Sequence, residues 1–194
     1  MSRRVLGFLV ALVLGVTARA ANATPITYTE SGVATGSLDG VAFRDALVTI
    51  TLTGDTTGAT GGPGFFTNTG PATVNVAGFS PATLLGSIIV FDNTSTPGAG
   101  IEDLTAGGDI LDTLLDPAFA TYNLTTSLGP ITGSAAFNPG KVFSTTSGNF
   151  IITAVSTSTF TAVTAAPTAV PEPTSLLLLG TGVVGAALRR RKRA

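Results

Sequence analysis

Short stretches of alternating apolar and hydroxyl residues run through the middle of the chain and predict β-strands. The clearest stretch is residues 48–53, which read VTITLT and place every second side chain on the same face of a sheet. Asp39-Gly40 separates two such stretches, and this dipeptide is typical of a two-residue hairpin turn. Further strands are predicted at residues 26–31, 32–38, 41–43, 72–77, 87–91, 120–125, 134–137, 149–154 and 157–163. Residues 24–165 are therefore predicted to form an all-β domain, an antiparallel sandwich or jelly roll.

One segment has the period of a helix instead. In residues 108–117 the apolar side chains fall at positions 110, 111, 114 and 115, and the carboxylates are Asp109, Asp112 and Asp116. This spacing separates the two sets on opposite faces of a short helix, with Asp109 at its N-terminus and Pro117 beyond its end. We expect this helix to pack across one end of the sandwich.

A glycine-rich segment at residues 58–66 lacks the Lys and the following apolar helix of a phosphate-binding loop. We expect an exposed loop, closed by Phe65 and Phe66, whose rings enter the core.

The N-terminal residues have the pattern of a secretory signal peptide, assigned to residues 1–23. Arg3 and Arg4 precede an uncharged apolar run at residues 5–16, and a small-residue stretch ends in Ala21-Asn22-Ala23. Cleavage by signal peptidase is predicted after Ala23, with Ala20 as the second choice. The alternative is an uncleaved anchor or a buried N-terminal helix.

The C-terminal residues contain a second apolar run, at residues 176–188, within a predicted hydrophobic helix and basic tail at 176–194. A linker at 166–175 precedes it and contains Pro171-Glu172-Pro173, which is expected to be extended because each ring disfavours helix. A basic cluster follows the run and consists of Arg189, Arg190, Arg191, Lys192 and Arg193. Thirteen helical residues span only about 20 Å, so crossing the membrane requires the flanking residues and snorkelling Arg side chains. The basic cluster favours a cytoplasmic C-terminus, with the β domain on the other side of the inner membrane.

The order of Pro-Glu-Pro motif, apolar run and Arg-rich end resembles the PEP-CTERM sorting signal of Gram-negative bacteria. The resemblance implies that an integral-membrane exosortase recognises Pro171, Glu172 and Pro173, cleaves near them and passes the protein to the cell surface or an exopolysaccharide matrix. It also implies that residues 176–188 and the basic cluster act as a stop-transfer signal. This chain has Thr174-Ser175 where the family usually has Ser-Thr. A simple single-pass anchor, with Pro-Glu-Pro as a linker only, is the alternative.

The charges separate into the same three segments. The whole chain has 10 basic and 11 acidic residues, but only Arg44 and Lys141 lie in residues 24–170, together with ten acidic residues, so this part carries 2 − 10, or about −8. Such a domain does not neutralise several phosphates, and we predict no nucleic-acid partner. The absence of His and Cys excludes Ser-His-Asp triads, thiolate nucleophiles and disulfides, and no cofactor or metal is predicted.

The carboxylates are the remaining candidates for chemistry. Glu102, Asp103, Asp109, Asp112 and Asp116 suggest Ca²⁺, although their spacing is not that of an EF-hand. A solvated acidic face is the preferred interpretation. Paired carboxylates also catalyse glycoside hydrolysis, but no sequence motif identifies a general acid and a nucleophile among these residues. Trp, which often stacks on sugar rings, is absent from the chain.

Three functions follow in order of preference. The first is an exported, non-enzymatic protein with a structural or adhesive role at the cell envelope or in exopolysaccharide. The second is a module that binds carbohydrate or a small ligand through a loop end or a sheet face. The third is a secreted enzyme.

Overall fold

The computed structural model describes residues 23–166, which form thirteen β-strands and one 3-10 helix. The strands are β1 Pro25–Leu38, β2 Val41–Asp55, β3 Thr60–Gly62, β4 Phe65–Thr69, β5 Ala72–Val76, β6 Ala82–Thr83, β7 Ile88–Asn93, β8 Gly98–Asp103, β9 Gly108–Leu114, β10 Leu128–Ala136, β11 Phe143–Thr145, β12 Gly148–Val155 and β13 Thr157–Thr164. The 3-10 helix is Pro117–Thr121. Among these described residues no helix is both long and apolar enough to cross a membrane.

All thirteen strands belong to one curled antiparallel sheet, in the order β3-β4-β7-β8-β9-β10-β13-β1-β2-β5-β6, with β12 pairing β1 and β11. A bridge between Leu84 and Thr145 joins the end of β6 to β11, where Leu85 N donates to Ser144 O at 2.9 Å. A ring of six strands, β1-β2-β5-β6-β11-β12, therefore closes on itself. The prediction of an all-β antiparallel fold is confirmed.

The hairpin at Asp39-Gly40 is also confirmed. Asp39 and Gly40 have φ of 51° and 76°, and Leu38 pairs with Val41 directly across the turn. Two central residues with positive φ are typical of a type I′ turn, whose twist matches that of the flanking strands. The strands on either side are longer than predicted. The predicted strands at 26–31 and 32–38 are one strand, β1, and those at 41–43 and 48–53 are joined in β2.

The predicted helix at residues 108–117 is wrong. Residues 108–114 form β9, in which Thr113 pairs with Ala99 of β8 and Ala135 of β10. Residues 110–113 are all buried, so both faces of β9 are covered and the apolar spacing there does not report a helix period. The helical turn comes one segment later, where Asp116 Oδ1 accepts a hydrogen bond from Ala118 N at 2.8 Å as its N-cap.

Two neighbouring predictions also need correction. Residues 120–125 are not a strand, because they contain the end of the 3-10 helix and the loop after it. Residues 58–66 include strand β3 and the start of β4, so they are not simply a loop. Phe66 packs against the core, but Phe65 is 45% exposed and stacks on Phe91, with ring centroids 5.7 Å apart.

The loop from the 3-10 helix onward packs onto the core through an aromatic cluster. The ring centroid of Phe160, on β13, lies 5.6 Å from that of Phe119 and 6.1 Å from that of Tyr122, and both ring pairs pack edge to face. Tyr28 Oη donates to Leu124 O at 2.5 Å and ties this loop to β1. The inner face of the sheet is thereby covered beside β1 and β13.

Candidate functional site

The five carboxylates of the acidic segment do not converge on one point. Glu102 of β8 pairs with Asp109 of β9, and Asp112 lies further along β9 opposite Gly100. Asp103 instead accepts hydrogen bonds from the backbone of the following turn, and Asp116 caps the 3-10 helix. In residues 23–166 no group of three or more His, Cys, Asp or Glu side chains is arranged to hold a metal ion.

Asp112 is buried on the outer face of β9. It is 3% exposed, its Oδ1 has no hydrogen-bond partner in the described part of the chain, and its carboxyl lies against Gly100, where a Cβ would overlap it. Burial raises the pKa of Asp112 to about 9, and the nearby Asp109 and Glu102 contribute to this shift by repulsion. A carboxyl in this setting is neutral at pH 7.

Glu30 is buried on the inner face and ends a chain of hydrogen bonds. Thr113 Oγ1 lies 3.1 Å from Glu30 Oε2 and 2.8 Å from Ser158 Oγ, and Ser158 Oγ donates to Asp112 O at 2.6 Å. The Thr113 hydroxyl has one proton and donates only once. A protonated Glu30 that donates to Thr113 lets each of the three side chains donate once, in agreement with burial raising the pKa of Glu30 well above its ordinary value. Glu30 Oε1 has no hydrogen-bond partner in the described part of the chain.

Asp92 of β7 is the third buried carboxyl. It is 0% exposed, and neither of its oxygens has a hydrogen-bond partner among residues 23–166. Its cross-strand partners are Phe66 and Ala99, and burial raises its pKa to about 7. Because the side chains of Glu30 and Asp92 are enclosed, they do not reach a polymeric substrate as the carboxyls of a glycosidase must.

A groove of about 410 Å³ opens on the outer surface. Its lining includes Val33 and Thr35 of β1, Asp45 of β2, Phe137 of the loop after β10, and Thr153 and Val155 of β12. The volume lies within the range of small-ligand sites, and the lining combines an aromatic ring, a carboxylate and hydroxyls.

The groove forms where β1 changes register with both of its neighbours. The pairing with β2 shifts between Ala34 and Gly36, and the pairing with β12 shifts between Thr35 and Gly36. Asp45 lies in the resulting bulge with φ of 50°, and its backbone N donates to Thr35 Oγ1 at 3.4 Å. A Cβ at Gly36 would overlap Ile151 O, so this close approach of strands requires glycine.

The outer surface beside the groove carries uncharged side chains along the paired middle of β1, β2 and β13, and Asp55 follows Thr53 on this side at the end of β2. We call this surface the hydroxyl face and define it by Thr27, Thr29, Ser31, Thr49, Thr51, Thr53, Thr159 and Thr161. The outward positions alternate with buried ones along each strand.

Register aligns these hydroxyls in rows across the strands. One row is Thr161, Thr29, Thr51 and Thr73, and the next contains Thr159, Ser31 and Thr49. Thr159 Oγ1 pairs with Thr132 Oγ1 at 2.8 Å, whereas the other hydroxyls of the face have no hydrogen-bond partner within the described chain.

The sequence analysis did not predict the groove or the rows of hydroxyls, although one sequence pattern indicates part of the rows. The repeated Thr-x-Thr pattern in residues 27–29, 49–53 and 157–161 shows that hydroxyls share a face within each strand. Which strands are neighbours, and where their register shifts, depends on contacts between distant residues.

The C-terminal residues identify how the protein is sorted. Residues 169–192 match the PEP-CTERM protein-sorting motif. This match confirms the resemblance that the sequence suggested, and the PEP-CTERM motif implies export, membrane-associated sorting and processing by an exosortase. Comparison with curated proteins and with solved structures found no match.

Several predicted sites lie outside the described residues and stay predictions. These are Ala21 of the signal-peptidase site, the sorting residues Pro171, Glu172 and Pro173, and the basic cluster of Arg189, Arg190, Arg191, Lys192 and Arg193. Ala23, the other residue of the signal-peptidase site, is the first described residue, and cleavage after it also stays a prediction.

Proposed function

We propose that this protein is a non-catalytic surface protein, with a structural or adhesive role at the cell envelope or in the extracellular matrix. The observation that carries the proposal is the PEP-CTERM motif at residues 169–192, downstream of an all-β domain. The motif supports delivery through the inner membrane and hand-over by an exosortase. A domain with about −8 net charge then stays soluble at the surface and resists non-specific binding to anionic polymers.

The buried carboxyls support a non-catalytic role. Glu30 and Asp92 are enclosed in the core, and Asp112 is buried against Gly100 on the outer face, so each group serves the fold rather than a substrate. The hydrogen bonds of Glu30 Oε2 run through Thr113 and Ser158 to the backbone oxygen of Asp112, which links β1, β9 and β13.

The sorting step is tested by a substitution in the motif. We expect Glu172→Ala to leave the protein in the inner-membrane fraction, because the exosortase loses the carboxylate between the two Pro residues. Pro167→Ala, which changes the linker outside the motif, is the control and should leave sorting unchanged. Fractionation of cells with and without the exosortase provides the measurement. If the Glu172→Ala variant is found in the same fractions as the unsubstituted protein, this role of the motif is contradicted.

The groove favours a second candidate function, a module that binds carbohydrate or another small ligand. Its aromatic, carboxylate and hydroxyl lining is the observation that supports it. The two functions are compatible, because adhesion to a matrix requires a surface that binds it.

A further inference from the structure

We propose that the hydroxyl face and the adjoining groove together bind a neutral, extended polysaccharide. This inference rests on the proposed adhesive function and names its ligand class. It does not depend on the exosortase step itself.

Charge selects the class of polymer. Of the ten acidic residues in residues 24–170, Asp55 borders the hydroxyl face at the end of β2, and Asp45 lies in the groove. Glu30 and Asp92 point into the core, and the rest lie in turns or on β8 and β9, so the rows of hydroxyls contain no charge. With only Arg44 and Lys141 as cations, the domain repels anionic polymers. An uncharged surface within an acidic domain is complementary to an uncharged partner.

Spacing selects an extended chain. Rows such as Thr161, Thr29, Thr51 and Thr73 present one hydroxyl per strand, at the strand separation of roughly 4.8 Å. A pyranose ring in an extended β-linked chain advances by a similar length, so successive rings meet successive hydroxyls. Each Thr hydroxyl donates one hydrogen bond and accepts others, as do the hydroxyls of a sugar.

The groove supplies the features that the rows lack. Val33 follows Ser31 on the outer side of β1 and continues the hydroxyl face into the groove. There Phe137 and Val33 offer apolar surface to the C–H face of a ring, and the Asp45 carboxylate accepts hydrogen bonds from sugar hydroxyls.

A direct binding measurement tests the proposal on the protein isolated from its exporting cells. We expect calorimetry to show saturable binding of cellohexaose, a neutral extended probe, and none of an alginate oligomer, an anionic probe of similar length. Saturable binding of the alginate oligomer with equal affinity overturns the proposal, and so does the absence of binding to cellohexaose.

Two pairs of variants locate the site. Asp45→Asn removes the groove carboxylate and should weaken cellohexaose binding about tenfold or more, since charge-assisted hydrogen bonds are the strong ones. Asp39→Asn is the matched control, because Asp39 also has positive φ but lies in the hairpin turn. Asn is tolerated at both positions because it adopts this conformation readily. Equal affinities of the Asp45 and Asp39 variants overturn the assignment of the groove.

The hydroxyl face is tested with Thr29→Val/Thr51→Val, which keeps the shape and strand preference of both residues. Thr60→Val/Thr67→Val, at a threonine pair with Oγ1 atoms 3.2 Å apart on β3 and β4, is the control. We expect only the first double variant to weaken binding. If that variant abolishes self-association in sedimentation experiments and leaves cellohexaose affinity unchanged, the face binds a second copy of the chain and the proposal is overturned. Loss of binding with sorting intact leaves the proposed export pathway unaffected.

Discussion

At the scale of single residues, Asp112 shows most clearly how burial controls charge. Its carboxyl is 3% exposed, and its pKa is raised to about 9, above the ordinary value near 4. At pH 7 the folded protein therefore holds a proton on Asp112 that the unfolded chain releases. The stability from this group is complete below about pH 4 and is lost as the pH rises towards 9.

Replacing this side chain with its neutral isostere should remove that part of the pH dependence. We expect Asp112→Asn to gain about 4 kcal/mol in free energy of unfolding relative to the unsubstituted protein between pH 5 and pH 8, at about 1.4 kcal/mol for each pH unit. Urea denaturation of both proteins at pH 5 and at pH 8 measures this difference in the free energy of unfolding. Asp39→Asn, at an exposed turn, controls for the loss of one surface charge. A similar response of both variants would show that the burial of Asp112 is not the cause.

At the scale of elements, β1 organises the fold, because it pairs with β2 along one edge and with β13 and then β12 along the other. The partner changes between Ser31 and Ala34, and the register of both remaining pairings shifts at Gly36, where a Cβ would overlap Ile151 O and approach the Phe43 ring. We expect Gly36→Ala to lower the free energy of unfolding by about 1–3 kcal/mol, as overpacking does. Gly62→Ala is the control, since a Cβ there meets nothing within 4 Å and should change stability by less than about 0.5 kcal/mol. Thermal denaturation followed by circular dichroism distinguishes them, and equal melting temperatures would contradict the packing at Gly36.

Local signals predicted the elements whose neighbours are close in sequence. Asp39-Gly40 determined a hairpin because its backbone requirement is local, and residues 48–53 alternate as a strand with one exposed face. Strand β9 was missed because side chains on both of its faces are buried, which removes the period of two. The groove was missed for a related reason: the register shifts at Gly36 arise from pairing with residues about ten and more than one hundred positions away.

At the scale of the whole molecule, the near-neutral total of 10 basic and 11 acidic residues conceals an acidic domain between two basic termini. Within the described residues, Lys141 Nζ donates to Gly107 O at 3.0 Å, and Arg44 is exposed. Buried oxygens of Glu30, Asp92 and Asp112 have no partner there. The domain therefore keeps these carboxyls neutral by protonation instead of pairing them with cations.

The stability of the unsubstituted protein should consequently fall as the pH rises. Burial raises the pKa of Asp92 to about 7, of Asp112 to about 9 and of Glu30 well above its ordinary value, so the folded state binds more protons than the unfolded state from about pH 4 upward. The free energy of unfolding then decreases with pH throughout this window. We expect the urea midpoint to be lower at pH 8 than at pH 5, at constant ionic strength and with an unchanged m-value. A midpoint that rises between these pH values would mean that the three carboxyls are ionised in the folded protein, and that cations or solvent reach them.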